Sequence, residues 1–231
     1  MLIHVGDERS EAIDMAIAGL LSSIAGALNA VGFVIAGFFT ANMTGNISAF
    51  ADYLAKGSVA LAFSFLGLVV AFIAGATCAA LGVQAGLRYQ LRSVFALAIV
   101  VEAMILAALA MAYHVWLAGG FEALLLIALS FVMGLQNAVT TMITRARVRT
   151  THVSGMATDV GIELAAMVGC AQMRRAVLPK LKLHSWTLIA FAAGGVCGVV
   201  LFGVIGTWIF AAAAALLLAI ALPEVLRAHR P

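Results

Sequence analysis

Long runs of apolar residues make up most of the chain, and short polar stretches separate them. The runs lack the strict alternation of apolar and polar positions that membrane β-strands show. A helix needs about 20 apolar residues to cross the hydrocarbon core, and backbone polar groups in lipid must be bonded internally. The pattern therefore predicts six membrane-spanning helices, at about 16–40, 59–84, 94–113, 121–143, 186–204 and 207–222.

Two polar breaks interrupt this pattern at related positions, one after the first run and one after the fourth. Gly26 and Asn29 precede the first break, and Gly134 and Asn137 precede the second at the same spacing. An internal repeat of this kind indicates a chain built from two related halves. We expect a single membrane domain over residues 1–231, with repeat one at about 14–115 and repeat two at about 120–225. A short helix is expected after each break, following Thr44 in the first half and Ser154 in the second.

Composition supports the membrane assignment. The chain of 231 residues is 65% hydrophobic and 10% charged, with a mean hydropathy of +1.14, which excludes a water-soluble globule. The fold class is accordingly all-α, a polytopic membrane protein surrounded by the lipid bilayer. The pI near 9.0 does not indicate a nucleic-acid-binding protein, because Lys and Arg of membrane proteins gather in cytoplasmic loops.

The positions of the basic residues predict the orientation of the chain. If both termini are cytoplasmic, Lys56 is the one basic residue left on the outer side. The basic residues then assigned to the inner side are Arg9, Arg88, Arg92, Arg145, Arg147, Arg149, Arg174, Arg175, Lys180, Lys182, Arg227 and Arg230. We expect a multi-pass protein of the cytoplasmic (inner) cell membrane with cytoplasmic N- and C-termini.

Three spans in each half have a topological consequence. Because three is odd, the second half must enter the membrane from the opposite side, which makes the two halves an inverted repeat. Inverted repeats with broken helices near the midplane are typical of secondary transporters. The sequence thus favours a transporter or permease for a small solute or ion. The alternative is a non-transporting membrane scaffold or partner subunit whose polar residues only fix helix packing.

The breaks carry the first group of candidate functional residues. Thr44 and Ser154 have good N-cap side chains, and Gly45 and Gly155 allow close approach of the backbone to a ligand or a helix. The first turn of a helix also presents free N–H groups that suit an anion or a carbonyl. These segments either bind a ligand or form plain capped turns.

Polar groups inside the spans form a second group. Asn29 and Asn137 each bring an amide into an apolar helix, and they bond either each other or a substrate. Glu102, in the middle of the third run, is either a proton carrier or a neutral carboxyl bonded to a neighbouring helix. Asp159 and Glu163 share one helix face, where they either pair with Arg145, Arg147 or Arg149 or line the inner mouth of a path. The candidate substrate or ion pathway comprises Asn29, Asn42, Thr44, Gly45, Asn46, Glu102, Gln136, Asn137, His152, Ser154, Gly155 and Asp159.

Motifs for catalysis or cofactor binding are absent from the sequence, so we expect neither an enzyme nor a metal or cofactor. The cysteines Cys78, Cys170 and Cys197 lack metal-type spacing and are interpreted as small packing residues. Gly194 and Gly198 form a GxxxG sequence, which joins either two protomers of a homo-oligomer or two helices of one chain.

One resemblance follows from the residues around the two breaks. ALNAVGFVIAGFFTANMTGN, followed by GLQNAVTTMITRARVRTTHVSG, resembles the YoaK family of bacterial membrane proteins, a family of unknown function. The resemblance covers nearly the whole chain and implies a six-helix inner-membrane protein. The acid usual in the first span of that family is Asn29 here, and its second Thr-Gly is Ser154-Gly155.

Overall fold

The computed structural model describes Leu2, residues 10–115 and residues 121–228, and these residues form eight helices and no strand. The helices are α1 (Glu11–Ala36), α2 (Met43–Ala55), α3 (Val59–Arg88), α4 (Val94–Val115), α5 (Phe121–Ile143), α6 (Val153–Met167), α7 (Ala171–Ile205) and α8 (Trp208–Ala228). All of them except α2 and α6 are long and apolar enough to cross a membrane. The chain is an all-α, multi-pass membrane protein. Arg9 and Arg230, which enter the charge argument, lie outside the described residues.

The six predicted spans correspond to α1, α3, α4, α5, α7 and α8, and the bounds of α5 agree with the prediction. The largest difference lies in α7, which begins at Ala171 rather than near residue 186. The added turns contain Arg174, Arg175, Lys180 and Lys182, so this part of the helix is too basic to lie in lipid. At a rise of about 1.5 Å per residue, α7 is long enough to span the membrane and project beyond it.

The two short helices start slightly before the expected positions. Asn42 is the N-cap of α2, and its Oδ1 accepts a hydrogen bond from the backbone N–H of Gly45 at 3.0 Å. His152 occupies the N-cap position of α6 without a side-chain capping bond. The prediction that Thr44 and Ser154 are the N-caps is therefore wrong, and both residues lie in the first turn of their helices.

The spans pack in pairs around two central helices, and the successive contacts between α1 and α7 run in the same direction along both helices. α1 packs along α7, α3 along α5, and α4 along α8, while α2 lies on α3 and α6 lies on α7. α1 and α5 are the most buried spans and contact each other, whereas α3 and α7 expose most of their surface. The exposed surface is rich in large apolar side chains, as expected where a helix faces lipid chains.

Glycines set the closest helix contacts. A Cβ added at Gly26 would meet the carbonyl oxygen of Phe191, and one added at Gly194 would meet backbone atoms of Ser23. Gly75 and Gly134 form the equivalent contact between α3 and α5, with Phe131 and Phe72 as their partners. Small residues allow this approach, and close packing is what holds helices together in lipid.

The GxxxG sequence belongs to one of these contacts. Gly194 lies against Ser23 and Gly198 against Ala27, so this motif joins α7 to α1 within one chain. Ser23 reinforces the crossing because its Oγ donates to the carbonyl oxygen of Ala190 at 3.1 Å. The interpretation of the cysteines as packing residues is wrong, because Cys78, Cys170 and Cys197 are all exposed.

Candidate functional site

The first break folds back against the helix that precedes it. α1 ends at Gly37, which adopts φ +77° and whose N–H donates to the carbonyl oxygen of Phe33 at 2.8 Å. The chain then returns toward the middle of α1, where the side-chain oxygen of Asn29 accepts a 2.9 Å hydrogen bond from the backbone N–H of Ala41. This bond places the first turn of α2 beside an inner turn of α1, rather than at its end.

The second break repeats this arrangement. The side-chain oxygen of Asn137 on α5 accepts a hydrogen bond from the backbone N–H of Thr151 at 3.4 Å. Ala41 and Thr151 each immediately precede the N-cap position of a short helix. The alternative in which Asn29 and Asn137 bond each other is therefore wrong, because each amide oxygen accepts a backbone N–H of its own half.

Hydroxyl and backbone bonds fix the chain between α5 and α6. The hydroxyl of Thr144 donates to the carbonyl oxygen of Thr140 at 2.6 Å and accepts from the backbone N–H of Val148 at 3.0 Å. Arg145 and Ala146 adopt positive φ angles of 50° and 63°, a conformation that residues with a side chain seldom take. The bonds of Thr144 supply the local stabilisation that such a turn requires.

Gly45 and Gly155 serve the same local purpose in the two halves. A Cβ at Gly45 would meet the side chain of Asn42, and a Cβ at Gly155 would meet the imidazole ring of His152. In both short helices the glycine therefore leaves room for the side chain at the N-cap position. Their role is steric, and Gly155 does not line the cavity described next.

A cavity of about 680 Å³ lies between the two breaks. Asn29, the N-terminal residues of α2 and the chain just before it line one side, and Asn137 with the start of α6 lines the other. Phe72 of α3 and Phe191 of α7 complete it, each from a helix that crosses the opposite half. The predicted site residues in this lining are Asn29, Asn42, Thr44, Gly45, Asn137, His152 and Ser154.

Groups that both donate and accept hydrogen bonds make up the polar part of this lining. The side chains contribute amides, hydroxyls and the imidazole of His152, and no carboxylate is among the lining residues. Ser48 uses its hydroxyl locally, donating to the carbonyl oxygen of Thr44 at 3.0 Å. A cavity of this chemistry suits a small polar solute.

Besides Gly155 and Asp159, three predicted residues lie outside the lining of this cavity. Asn46 is buried behind the first break, where its Nδ2 donates to the carbonyl oxygen of Phe39 at 3.1 Å. Glu102 and Gln136 are fully buried between α4 and α5, and the Gln136 Nε2 donates to the Glu102 Oε1 at 2.9 Å. The alternative in which Glu102 bonds a neighbouring helix agrees with this geometry.

A second cavity, of about 600 Å³, lies between the start of α1, the second break, α6 and the basic part of α7. Its lining is strongly charged and includes Asp159, Glu163, Arg149 and Lys180. His152 lines this cavity as well as the first one. The two cavities therefore adjoin at His152.

Ion pairs on the wall of the second cavity differ from those predicted. Arg147 pairs with the buried Asp14 at 3.2 Å, and the His184 Nδ1 lies 3.0 Å from Glu163 Oε1. Asp159 has no ion-pair partner among the residues that the structure describes. The predicted pairing of Asp159 and Glu163 with arginines is wrong, whereas both residues do line a cavity.

Several lining residues were not predicted from the sequence. Phe72 and Phe191 carry no local signal, because only the glycine contacts of two other helices bring them to the cavity. Asp14 is far along the chain from its partner Arg147, and His184 lies on a different helix from its partner Glu163. A signal was available for Thr151, since its place before the second break matches that of Ala41 before the first.

Comparisons with known proteins place the chain in a family. No curated protein and no solved structure shows significant similarity to it. The model of the family described as "Protein of unknown function (DUF1275)" matches residues 17–222, which include both breaks and the whole lining of the first cavity. The chain belongs to the DUF1275 family.

Proposed function

We propose that this protein is a transporter or permease that moves a small solute or ion across the cell membrane. The observation that carries the proposal is the cavity of about 680 Å³ that equivalent residues of both halves line. A binding site at the junction of two broken helices is a recurrent feature of secondary transporters. In this proposal Asn29, Asn137 and the first turns of α2 and α6 contact the solute.

An inverted repeat underlies the proposed mechanism. α1 packs along α7 in the same way as α5 packs along α3. Likewise, α2 lies on α3 as α6 lies on α7. The bonds from Asn29 to Ala41 and from Asn137 to Thr151 are equivalent under the same correspondence. These relations support two related halves, and halves of opposite orientation would expose the cavity alternately to the two sides.

The charged second cavity is proposed as the inner vestibule of the path. It contains the start of α1 and the basic part of α7, both of which the distribution of basic residues assigns to the cytoplasm. His152 lies at the boundary of the two cavities, where a solute would pass. In this proposal both termini are cytoplasmic and the protein lies in the inner membrane.

The proposed partners of the protein are the lipid bilayer and the transported solute. We propose no catalytic role, cofactor or nucleic-acid partner. A homo-oligomer stays a prediction, and its interface would have to involve a surface other than the GxxxG face, which α1 covers. The closer resemblance to the YoaK proteins also stays a prediction.

A swelling assay on reconstituted liposomes tests the proposal. Light scattering would follow the entry of sodium acetate, sodium phosphate, potassium chloride, glycine and glycerol in separate experiments. We expect at least one solute to enter faster with the protein than without it, and Thr44→Trp to remove that difference by filling the cavity. Val70→Trp is the matched control, because Val70 lies on the exposed face of α3. Equal rates for wild-type protein, Thr44→Trp and empty liposomes would reject transport of these solutes.

One observation favours the scaffold as a second candidate. The side-chain oxygens of Asn29 and Asn137 are both bonded within the protein, as they would be in a protein whose polar residues only fix packing. A scaffold predicts that Thr44→Trp is harmless in a cell that depends on the protein, whereas a transporter predicts loss of function.

A further inference from the structure

Two helix N-termini open onto the first cavity. α2 has 13 residues and α6 has 15, and residues of the first turn of each line the cavity. The backbone N–H groups of Met43, Thr44, Val153 and Ser154 have no acceptor within their helices, because no helical carbonyl lies four residues before them. Each N-terminus also carries a partial positive charge from the helix dipole.

Asn29 supplies an independent indication of a ligand. Its side chain is only 9% exposed and lines the cavity, and its oxygen is occupied by the Ala41 N–H. The Nδ2 amino group has no hydrogen-bond partner among the described residues. Because Asn29 lines the cavity, its amino group is available to donate to a ligand oxygen there.

Asn137 repeats this arrangement on the other side of the cavity. Its oxygen accepts from Thr151 N–H, and its Nδ2 has no partner within the described ranges. The hydroxyls of Thr44 and Ser154 add two further donors. A negatively charged side chain would repel an anion, and the lining contains none.

We infer that the cavity binds a small anion through its oxygen atoms, held between the N-termini of α2 and α6 and by the amino groups of Asn29 and Asn137. Carboxylates and inorganic oxyanions share the required chemistry, since both present several acceptors and a full negative charge. This inference rests on the proposed function, because the anion is the substrate class of the proposed transporter. Anion binding itself can be measured without any transport.

Paired substitutions at Thr44 give a sharp test. Thr44→Asp puts a carboxylate in the first turn of α2. An acidic side chain there stabilises the helix through the helix dipole, and it occupies the site of the anion. Thr44→Asn has nearly the same size and no charge, so it is the matched control. Ser154→Asp and Ser154→Asn form a second pair, which keeps the test valid if a Thr44 variant does not fold.

Thermal unfolding of the purified full chain in detergent is the measurement. Sodium acetate, sodium nitrate, sodium phosphate and sodium chloride would be titrated separately. We expect a saturable rise of about 3 °C in Tm with at least one oxyanion, since a ligand bound only by the folded state raises Tm in this range. The rise should persist in Thr44→Asn and disappear in Thr44→Asp. A rise in Tm with acetate alone would identify a carboxylate site. A rise with nitrate or phosphate would identify a site for inorganic oxyanions.

The opposite outcomes overturn the inference. No saturable rise with any oxyanion, a response to chloride alone, or equal responses of Thr44→Asp and Thr44→Asn would each overturn the inferred oxyanion site. The swelling assay separates this result from transport. Oxyanion binding without flux would contradict the proposed function and leave the site, whereas flux of glycerol or potassium without oxyanion binding would do the reverse.

Discussion

Gln136 on α5 donates a 2.9 Å hydrogen bond from its Nε2 to the Oε1 of Glu102 on α4, and both side chains are fully buried. The second oxygen of Glu102 and the oxygen of Gln136 have no partner among the described residues. A proton on Glu102 Oε2 would satisfy both atoms by donating to Gln136 Oε1. The pair is then a neutral acid–amide contact that joins two helices.

Glu102→Gln should therefore leave the stability nearly unchanged. A second amide can exchange two hydrogen bonds with Gln136, just as a protonated carboxyl can. Glu102→Met, in contrast, leaves the buried Gln136 amide unpaired and should lower the free energy of unfolding by about 1–3 kcal/mol. Denaturant unfolding in detergent would compare the two variants. Equal destabilisation by both would show that the carboxyl is charged or serves another partner.

The glycine crossings predict a second set of effects. Gly26→Ala should destabilise the protein by about 1–3 kcal/mol, because the new methyl group meets the Phe191 carbonyl oxygen and forces α1 and α7 apart. Gly134→Ala should behave alike through its contact with Phe72. The loss would be seen as a lower denaturation midpoint.

Gly67→Ala provides the control for these variants. Gly67 lies on the same helix as Phe72, and a Cβ added there meets nothing within 4 Å. Because Ala is a better helix former than Gly, this change should be neutral or stabilise by up to about 1 kcal/mol. If Gly26→Ala were as harmless as Gly67→Ala, the contact between α1 and α7 would not limit their separation.

The spans could be predicted from the sequence because they depend on local composition. α5 is bounded by polar or glycine-rich stretches, and its limits follow from where the apolar run begins and ends. α7 differs because residues 171–185 are helical outside the lipid, and a search for apolar runs finds only the part inside it. The helices were thus predictable wherever contact with the bilayer requires apolar residues.

The site was predictable only in part, for a different physical reason. The repeat identified Asn29 and Asn137 as equivalent, but it could not reveal that each bonds the chain that returns from its own break. That partner depends on how far the chain folds back, which no local pattern determines. Phe72 and Phe191 reach the cavity only because distant glycines allow their helices to approach. Long-range packing of this kind leaves no trace in a single sequence.

Asn29 should stabilise the first break through its oxygen. Asn29→Leu leaves the backbone N–H of Ala41 without an acceptor and should lower the free energy of unfolding by about 1–3 kcal/mol. Asn29→Asp keeps an acceptor at nearly the same place and should lose less. Unfolding of the two variants side by side, under identical detergent conditions, measures the difference. Similar losses in both would mean that the Nδ2 group, and not the oxygen, is the stabilising part.

Opposite orientation of the two halves can be tested by labelling single cysteines. The exposed Cys78, Cys170 and Cys197 would first be replaced by Ser. Lys56→Cys, just before α3, and Arg175→Cys, near the start of α7, then mark the N-terminal ends of two corresponding helices. Spheroplasts would then be treated with a membrane-impermeant maleimide. The reagent should label the cysteine at position 56 directly and the cysteine at position 175 only after the membrane is permeabilised.

Arg92→Cys completes the labelling experiment as an inner-side control. Arg92 lies between α3 and α4, so one crossing of the membrane by α3 separates it from Lys56. If α3 spans the bilayer, positions 56 and 92 must label from opposite sides, whatever the orientation of the second half. Labelling of positions 56 and 175 from one side would mean that α3 and α7 run in the same sense. The two short helices would then enter the membrane from one side, and the alternating-access mechanism would lose its structural basis.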